Sequence, residues 1–128
     1  MRIINEKYNY LKPYFCKDLI RAGRNQDGGY VVSQNSILKT DTLISFGLGT
    51  DWSFEIDYLE KNKKGIIYIY DHTINFYTFF SPFLKCLKRF LTFRKNYKDL
   101  KERYNKMVNY LAFVNNKRVF YYKKKIAL

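Results

Sequence analysis

Thr42-Leu43-Ile44-Ser45-Phe46-Gly47-Leu48-Gly49-Thr50-Asp51-Trp52-Ser53-Phe54-Glu55 and, further on, Ile66-Ile67-Tyr68-Ile69-Tyr70-Asp71-His72-Thr73 are the stretches whose reading decides the fold. The first begins as a short, nearly continuous apolar run, Thr42 to Phe46, and stops at Gly47-Leu48-Gly49. Thr50 or Asp51 then offers an N-cap oxygen to a helix. Phe54, Tyr58 and Leu59 recur at helical spacing, with Glu55, Glu60 and Lys61 on other faces, and Gly65 reads as the C-cap. Ile66 to Tyr70 is a second β-prone run, ended by Asp71. Strand, glycine turn, helix, strand and acid is the order of a βαβ unit with a parallel pair. Strands so apolar are expected to be covered on both faces.

This order gives the glycines a chemical use. A glycine turn lets backbone approach a ligand where a Cβ would clash, and the next helix presents unpaired N–H groups to the same crevice. Asp71 lies 22 positions after Gly49, close to the roughly 20-residue spacing at which a carboxylate reaches a ribose diol. Trp52 stands where a dinucleotide fingerprint has its third glycine. A nucleoside cofactor without a pyrophosphate, such as S-adenosylmethionine, therefore fits better than a dinucleotide. The same residues also suit an ordinary βα turn and a helix-capping aspartate.

The run Ile44-Ser45-Phe46-Gly47-Leu48-Gly49-Thr50-Asp51-Trp52-Ser53-Phe54-Glu55 resembles the SFGxGxxWSFE signature of FkbM-like class I, S-adenosylmethionine-dependent methyltransferases. Asp71-His72-Thr73 is similar to the acid-x-Thr element of that group, and Arg24-x-x-Asp27-Gly28-Gly29-Tyr30 to the segment that precedes its fold. The resemblance spans residues 21–73 and implies a partial Rossmann-like α/β fold. It also implies a cofactor site in which Gly47 and Gly49 form the loop, Leu48 and Thr50 lend backbone contacts, Asp71 holds the ribose hydroxyls and His72 sits near the adenine edge. Ser45 departs from the broader pattern, where an acid commonly stands two residues before the first glycine; the SFG spelling lacks that acid too. Trp52, Phe54 and Glu55 read as packing and capping groups. The implied reaction is O-methylation of a sugar, glycan or related small-molecule acceptor. No residue is singled out as its general base, and no metal is implied.

Outward from this unit, residues 74–128 turn helical. Phe80, Phe83, Leu84, Leu87 and Leu91 share one face and Lys85, Lys88 and Arg89 the other, with Pro82 suited to a first turn. A second helix is expected over 93–114, where Phe93, Tyr97, Leu100, Tyr104, Met107, Leu111 and Val114 step by four and three. Asn115 and Asn116 end it, and Val119-Phe120-Tyr121-Tyr122 is a candidate third strand. Upstream, residues 8–21 show no clear period, with Pro13 as a breaker. Gly23 to Tyr30 reads as a turn rich in Asp-Gly and Gly-Gly, leading into the β-prone Tyr30-Val31-Val32. One domain over 1–128 is expected: an N-terminal segment (1–40), a cofactor-binding βαβ unit (41–73), and a helical segment with a last strand (74–128).

The 128 residues are 47% hydrophobic and 27% charged, a composition that argues against disorder. Cys16 and Cys86 are too few for a disulfide framework or a zinc site, and read as free thiols of a reducing compartment. The polar N-terminus does not read as a signal peptide, and no apolar run approaches the roughly 20 residues of a membrane span. A cytoplasmic chain is expected, with any membrane contact peripheral to the inner face. The net charge of +13 points to an acidic partner, although the surplus of Lys, Asn, Ile, Tyr and Phe is also what AT-rich coding produces.

A second reading is a non-catalytic basic module. Phe76 to Leu91 is amphipathic, as helices lying on an anionic membrane surface are, and Lys123-Lys124-Lys125 adds charge. Nucleic acid is a weaker partner, because basic and aromatic residues are present without an RNA- or DNA-binding motif. Two or three parallel strands leave a sheet edge open. Either the chain is truncated and inactive alone, or the helical segment replaces the missing half, or a completing chain or second copy supplies it.

Overall fold

The computed structural model describes residues 15–25 and 28–125. The expected breaker Pro13 and the turn residue Asp27 lie outside the described residues. Strands β1 (Leu19–Ala22) and β2 (Tyr30–Ser33) form an antiparallel hairpin, followed by helix α1 (Gln34–Lys39). Strand β3 (Thr42–Phe46), helix α2 (Ser53–Lys61) and strand β4 (Ile66–Tyr70) make the βαβ unit. Helices α3 (Phe76–Leu91) and α4 (Tyr97–Val114) then lead to strand β5 (Val119–Tyr122). The fold is α/β, with a three-stranded parallel sheet in the order β3-β4-β5. Thr42 pairs with Ile66 through to Phe46 with Tyr70, and Ile67 with Val119 through to Tyr70 with Tyr122.

β1 falls in a stretch with no legible period, because only four residues are extended and just Ala22 among them is buried. Asp18 ties the hairpin to α1. Its carboxylate accepts from the Ser33 hydroxyl (2.6 Å) and the Asn35 amide (3.0 Å). Those bonds join the two ends of the hairpin at the start of the helix.

Along the parallel sheet one face is buried and the other is not. Ile67 and Ile69 are fully buried and Val119 nearly so, while Ile44 is 55% and Phe46 64% exposed. The expectation that both faces are covered therefore fails among the described residues. The outer face instead carries rings that stack on or tilt against one another across the strands. Tyr68 lies 5.2 Å from Phe120, Tyr70 5.2 Å from Tyr122, and Phe46 5.8 Å from Tyr70. Aromatic residues give these strands the composition of buried ones, yet the rings cover each other.

On the inner face Trp52 gathers the helices. Its indole meets Phe79 of α3 at 5.5 Å and Tyr110 and Phe113 of α4 at 5.8 and 6.1 Å. Several expected details change accordingly. α2 is capped at Trp52 and not at Thr50 or Asp51, although the Asp51 carboxylate accepts from the Ser53 amide (3.0 Å). The helix ends at Asn62 rather than Gly65: the Asn62 amide donates to Tyr58 O, and its side-chain oxygen accepts from the Gly65 amide (2.7 Å). Gly65 is needed for closeness, since a Cβ there would press on the Tyr58 hydroxyl.

Pro82 sits inside α3, not in its first turn, which Asn75 and Thr78 close as a capping box. The buried residues of α3 are Phe79 and Cys86, whereas Leu84 (38%) and Leu91 (68%) of the expected stripe are exposed. α4 starts at Tyr97 with Asn96 as its cap, so Phe93 is excluded from it, and its buried residues are Tyr110 and Phe113. The expected stripes suit two helices that face only each other. Trp52 and the sheet turn them toward a common core.

Candidate cofactor site

Beyond β3 the chain turns with Gly47 at φ 73° and Gly49 at φ 60°, left-handed values that favour glycine. The Gly47 amide donates to Tyr70 O (3.1 Å), which carries the ladder one residue past the strand. Leu48, between the glycines, is buried and anchors the loop in the core. A Cβ on either glycine would meet nothing within 4 Å. Leu48 thus faces inward and the two glycines border open space. Thr50 is exposed beside them.

The residue at the end of β4 binds this loop from beneath. Asp71 Oδ2 accepts from the Gly49 amide at 3.2 Å, and Oδ1 accepts from the Thr73 amide and hydroxyl, each at 2.6 Å, and from the Ile74 amide at 3.3 Å. Burial alone would raise its pKa. The Thr73, Gly49 and Ile74 hydrogen bonds outweigh that and hold the carboxyl below the ordinary range. Tyr121 completes the support: its hydroxyl donates to the Ile74 (2.7 Å) and Asp71 (3.1 Å) carbonyls, and burial above all pushes its pKa up to about 12. The 22-residue spacing does bring Asp71 and Gly49 together, but the first group that Asp71 binds is the loop itself.

A cleft of about 640 Å³ runs along β3, from Val31 and Val32 of the hairpin to Gly47, Gly49 and Thr50. Gly28 and Tyr30 border it, so the turn before β2 forms part of its wall. The turn is tied to α2 by the Gly23 amide on Asp57 (2.7 Å) and the Arg24 amide on the Ser53 hydroxyl (3.0 Å). Neither Asp71 nor His72 lines this cleft. His72 is exposed in the loop after β4.

Two residues expected only to pack or cap, Phe54 and Glu55, do line it. Glu55, in the first turn of α2, is 7% exposed and accepts from the Ser45 hydroxyl at 2.6 Å. Desolvation raises its pKa, the Ser45 bond works against the rise, and the nearby Asp51 charge adds to it. Glu55 thus brings a carboxylate from the first turn of α2 to Ser45 near the end of β3. The signal in the sequence is a glutamate in the first turn after a glycine loop, with a hydroxyl ten positions earlier. Only the fold shows that these two meet.

Among the described residues no group of three His, Cys, Asp or Glu is placed to hold a metal ion, and no helix is long and apolar enough to cross a membrane. No family model matches the chain, and no curated protein or solved structure matches it significantly.

Proposed function

We propose that the chain is a methyltransferase-like domain with a partial Rossmann-like fold that binds S-adenosylmethionine, of the FkbM-like kind, with a sugar or glycan hydroxyl as the acceptor. The observation that carries this reading is the pair of left-handed glycines facing open space at the C-terminal end of β3, with the β4 aspartate bonded to the second of them. In parallel α/β sheets, ligands bind in the crevice at the carboxyl ends of the strands. The glycine positions are free of intramolecular packing, so the left-handed turn and the space above it are what remain to explain them.

In this arrangement Gly47, Leu48, Gly49 and Thr50 present backbone to the adenosine portion. Asp71 positions the loop, and its Oδ2, with one long bond to Gly49, is the oxygen with acceptor capacity to spare for a ribose hydroxyl. His72, exposed next to it, borders the base in this reading. The cofactor supplies an activated methyl group for in-line displacement, and the protein's share is orientation and proximity. The hairpin, β3 with its glycine loop and the first turn of α2 wall the cleft on which an acceptor would sit.

Calorimetry on the full chain with S-adenosylmethionine tests the reading. Stoichiometric binding is expected, and Asp71→Ala is expected to weaken it by roughly tenfold to a hundredfold, the range of a charge-assisted hydrogen bond. Incubation with labelled cofactor and hydroxylated acceptors, including glycan extracts, is expected to give binding without repeated turnover. Absence of binding by the parent chain would remove the cofactor reading altogether.

A further inference from the structure

Between α3 and α4 the chain turns through Thr92, Phe93, Arg94, Lys95 and Asn96. Thr92 caps α3, and Phe93 comes next at φ 55°, the one non-glycine residue with positive φ among those described. The Phe93 amide donates to Phe90 O (3.0 Å) and the Arg94 amide reaches back to Arg89 O (2.8 Å). Helices close this way with glycine at the left-handed position, because a Cβ there crowds the neighbouring carbonyl. Phenylalanine accepts that strain and gains no packing, for Phe93 is 98% exposed. Leu91 (68%) and Tyr97 (66%) flank it, equally unsheltered.

The surroundings are basic. Lys88, Arg89, Arg94, Lys95 and Lys98 are all exposed, and no Asp or Glu lies between Lys88 and Lys98. The first acid, Asp99, pairs with Lys95 at 2.9 Å. No packing among the described residues accounts for a strained, exposed phenylalanine in this basic stretch.

We propose that this tip is an anchor for an anionic lipid surface. Leu91, Phe93 and Tyr97 enter the boundary between headgroups and acyl chains, and Lys88, Arg89, Arg94 and Lys98 meet the lipid phosphates. The body of α3 takes no part, since Phe79 and Cys86 are buried and Phe83 packs near Tyr104 (6.0 Å). Lipid fits better than nucleic acid. A leucine and a ring on a projecting turn make a wedge, whereas single strands call for a basic groove lined with rings on which bases can stack. The inference stands independently of the cofactor reading.

The test is co-sedimentation of the full chain with vesicles of phosphatidylcholine alone and of phosphatidylcholine mixed with phosphatidylglycerol. Binding is expected to the mixed vesicles only and to weaken with salt. Leu91→Ser or Phe93→Ser should weaken it by roughly tenfold or more. Phe93→Gly separates anchor from scaffold, because it should weaken vesicle binding while raising the melting temperature through relief of strain. Phe93→Trp should shift its emission to the blue on mixed vesicles, against the buried Trp52, the only other tryptophan such a chain would hold. No binding to mixed vesicles, binding indifferent to Phe93→Gly, or no blue shift would each overturn the proposal. So would a Phe93→Gly chain that melts below the parent, or tight binding of an oligonucleotide that requires Leu91 and Phe93.

Discussion

Glu55 and Asp71 flank the glycine loop, and their surroundings push their carboxyls in opposite directions. Glu55 is raised chiefly by burial, so it stabilises the fold most while protonated in both native and unfolded chains. That stability is lost as pH rises through its native pKa. Glu55→Gln keeps the shape and an acceptor for Ser45 while removing the charge. Thermal melts should show the variant more stable than the parent near about pH 8 and equal to it near about pH 4, close to the unfolded pKa. A difference independent of pH would mean that Glu55 is not the group responsible. Asp71 works with the reverse sign: its stabilisation is present above the unfolded carboxylate pKa and fades as pH falls through the lower native value. A buried carboxylate bordering a cleft is also a functional candidate, and that status comes from burial, which one sequence does not display.

Among the elements, α2 depends on a residue far away in the chain. The Arg118 guanidinium donates to Leu59 O (2.7 Å), Asn62 O (2.6 Å) and Gly65 O (3.2 Å), the carbonyls at and just past the end of that helix. Helix ends leave such carbonyls without partners, and a cation there also meets the negative end of the helix dipole. Lysine is a point charge on a flexible stem and cannot span three carbonyls as the planar fork does. Arg118→Lys should therefore cost about 2 kcal/mol, allowing for the charge-assisted bonds it forfeits. Urea unfolding of the two chains would measure this, and equal midpoints would show that water replaces the fork. No sequence signal points to the contact, since Arg118 stands there only as one more positive charge near the C-terminus.

For the molecule as a whole, the parallel sheet is packed from one side. β4 is central and carries fully buried Ile67 and Ile69, while β3 is an edge strand among the described residues, with Ile44 and Phe46 exposed. Local stability should track that difference. Amide exchange is expected to be slowest along β4 and measurably faster along β3. Equal protection of the two strands would show that something covers the β3 edge in solution. Contiguous exposed rings also favour contact with other surfaces. Their stacking on each other reduces that exposure without removing it.

The βαβ unit is legible in the amino-acid order alone. The apolar runs of β3 and β4, the Gly47-Leu48-Gly49 break and the closing Asp71 are local signals, each set by what a few neighbouring residues can do with the backbone. The same holds for β5 and for the end of α4 at Asn115. Burial is a tertiary matter, because it depends on what arrives from elsewhere in the chain. Trp52 turns α3 and α4 so that Tyr110 and Phe113 become core, and no second layer among the described residues covers the aromatic strand face. Parallel pairing of the strands, with α2 packed on them, brings Glu55 to Ser45 and Asp71 to Gly49. Phe93 is placed outside α4 by the hydrogen bonds that close α3, where a repeating pattern of apolar residues alone continues the helix through it.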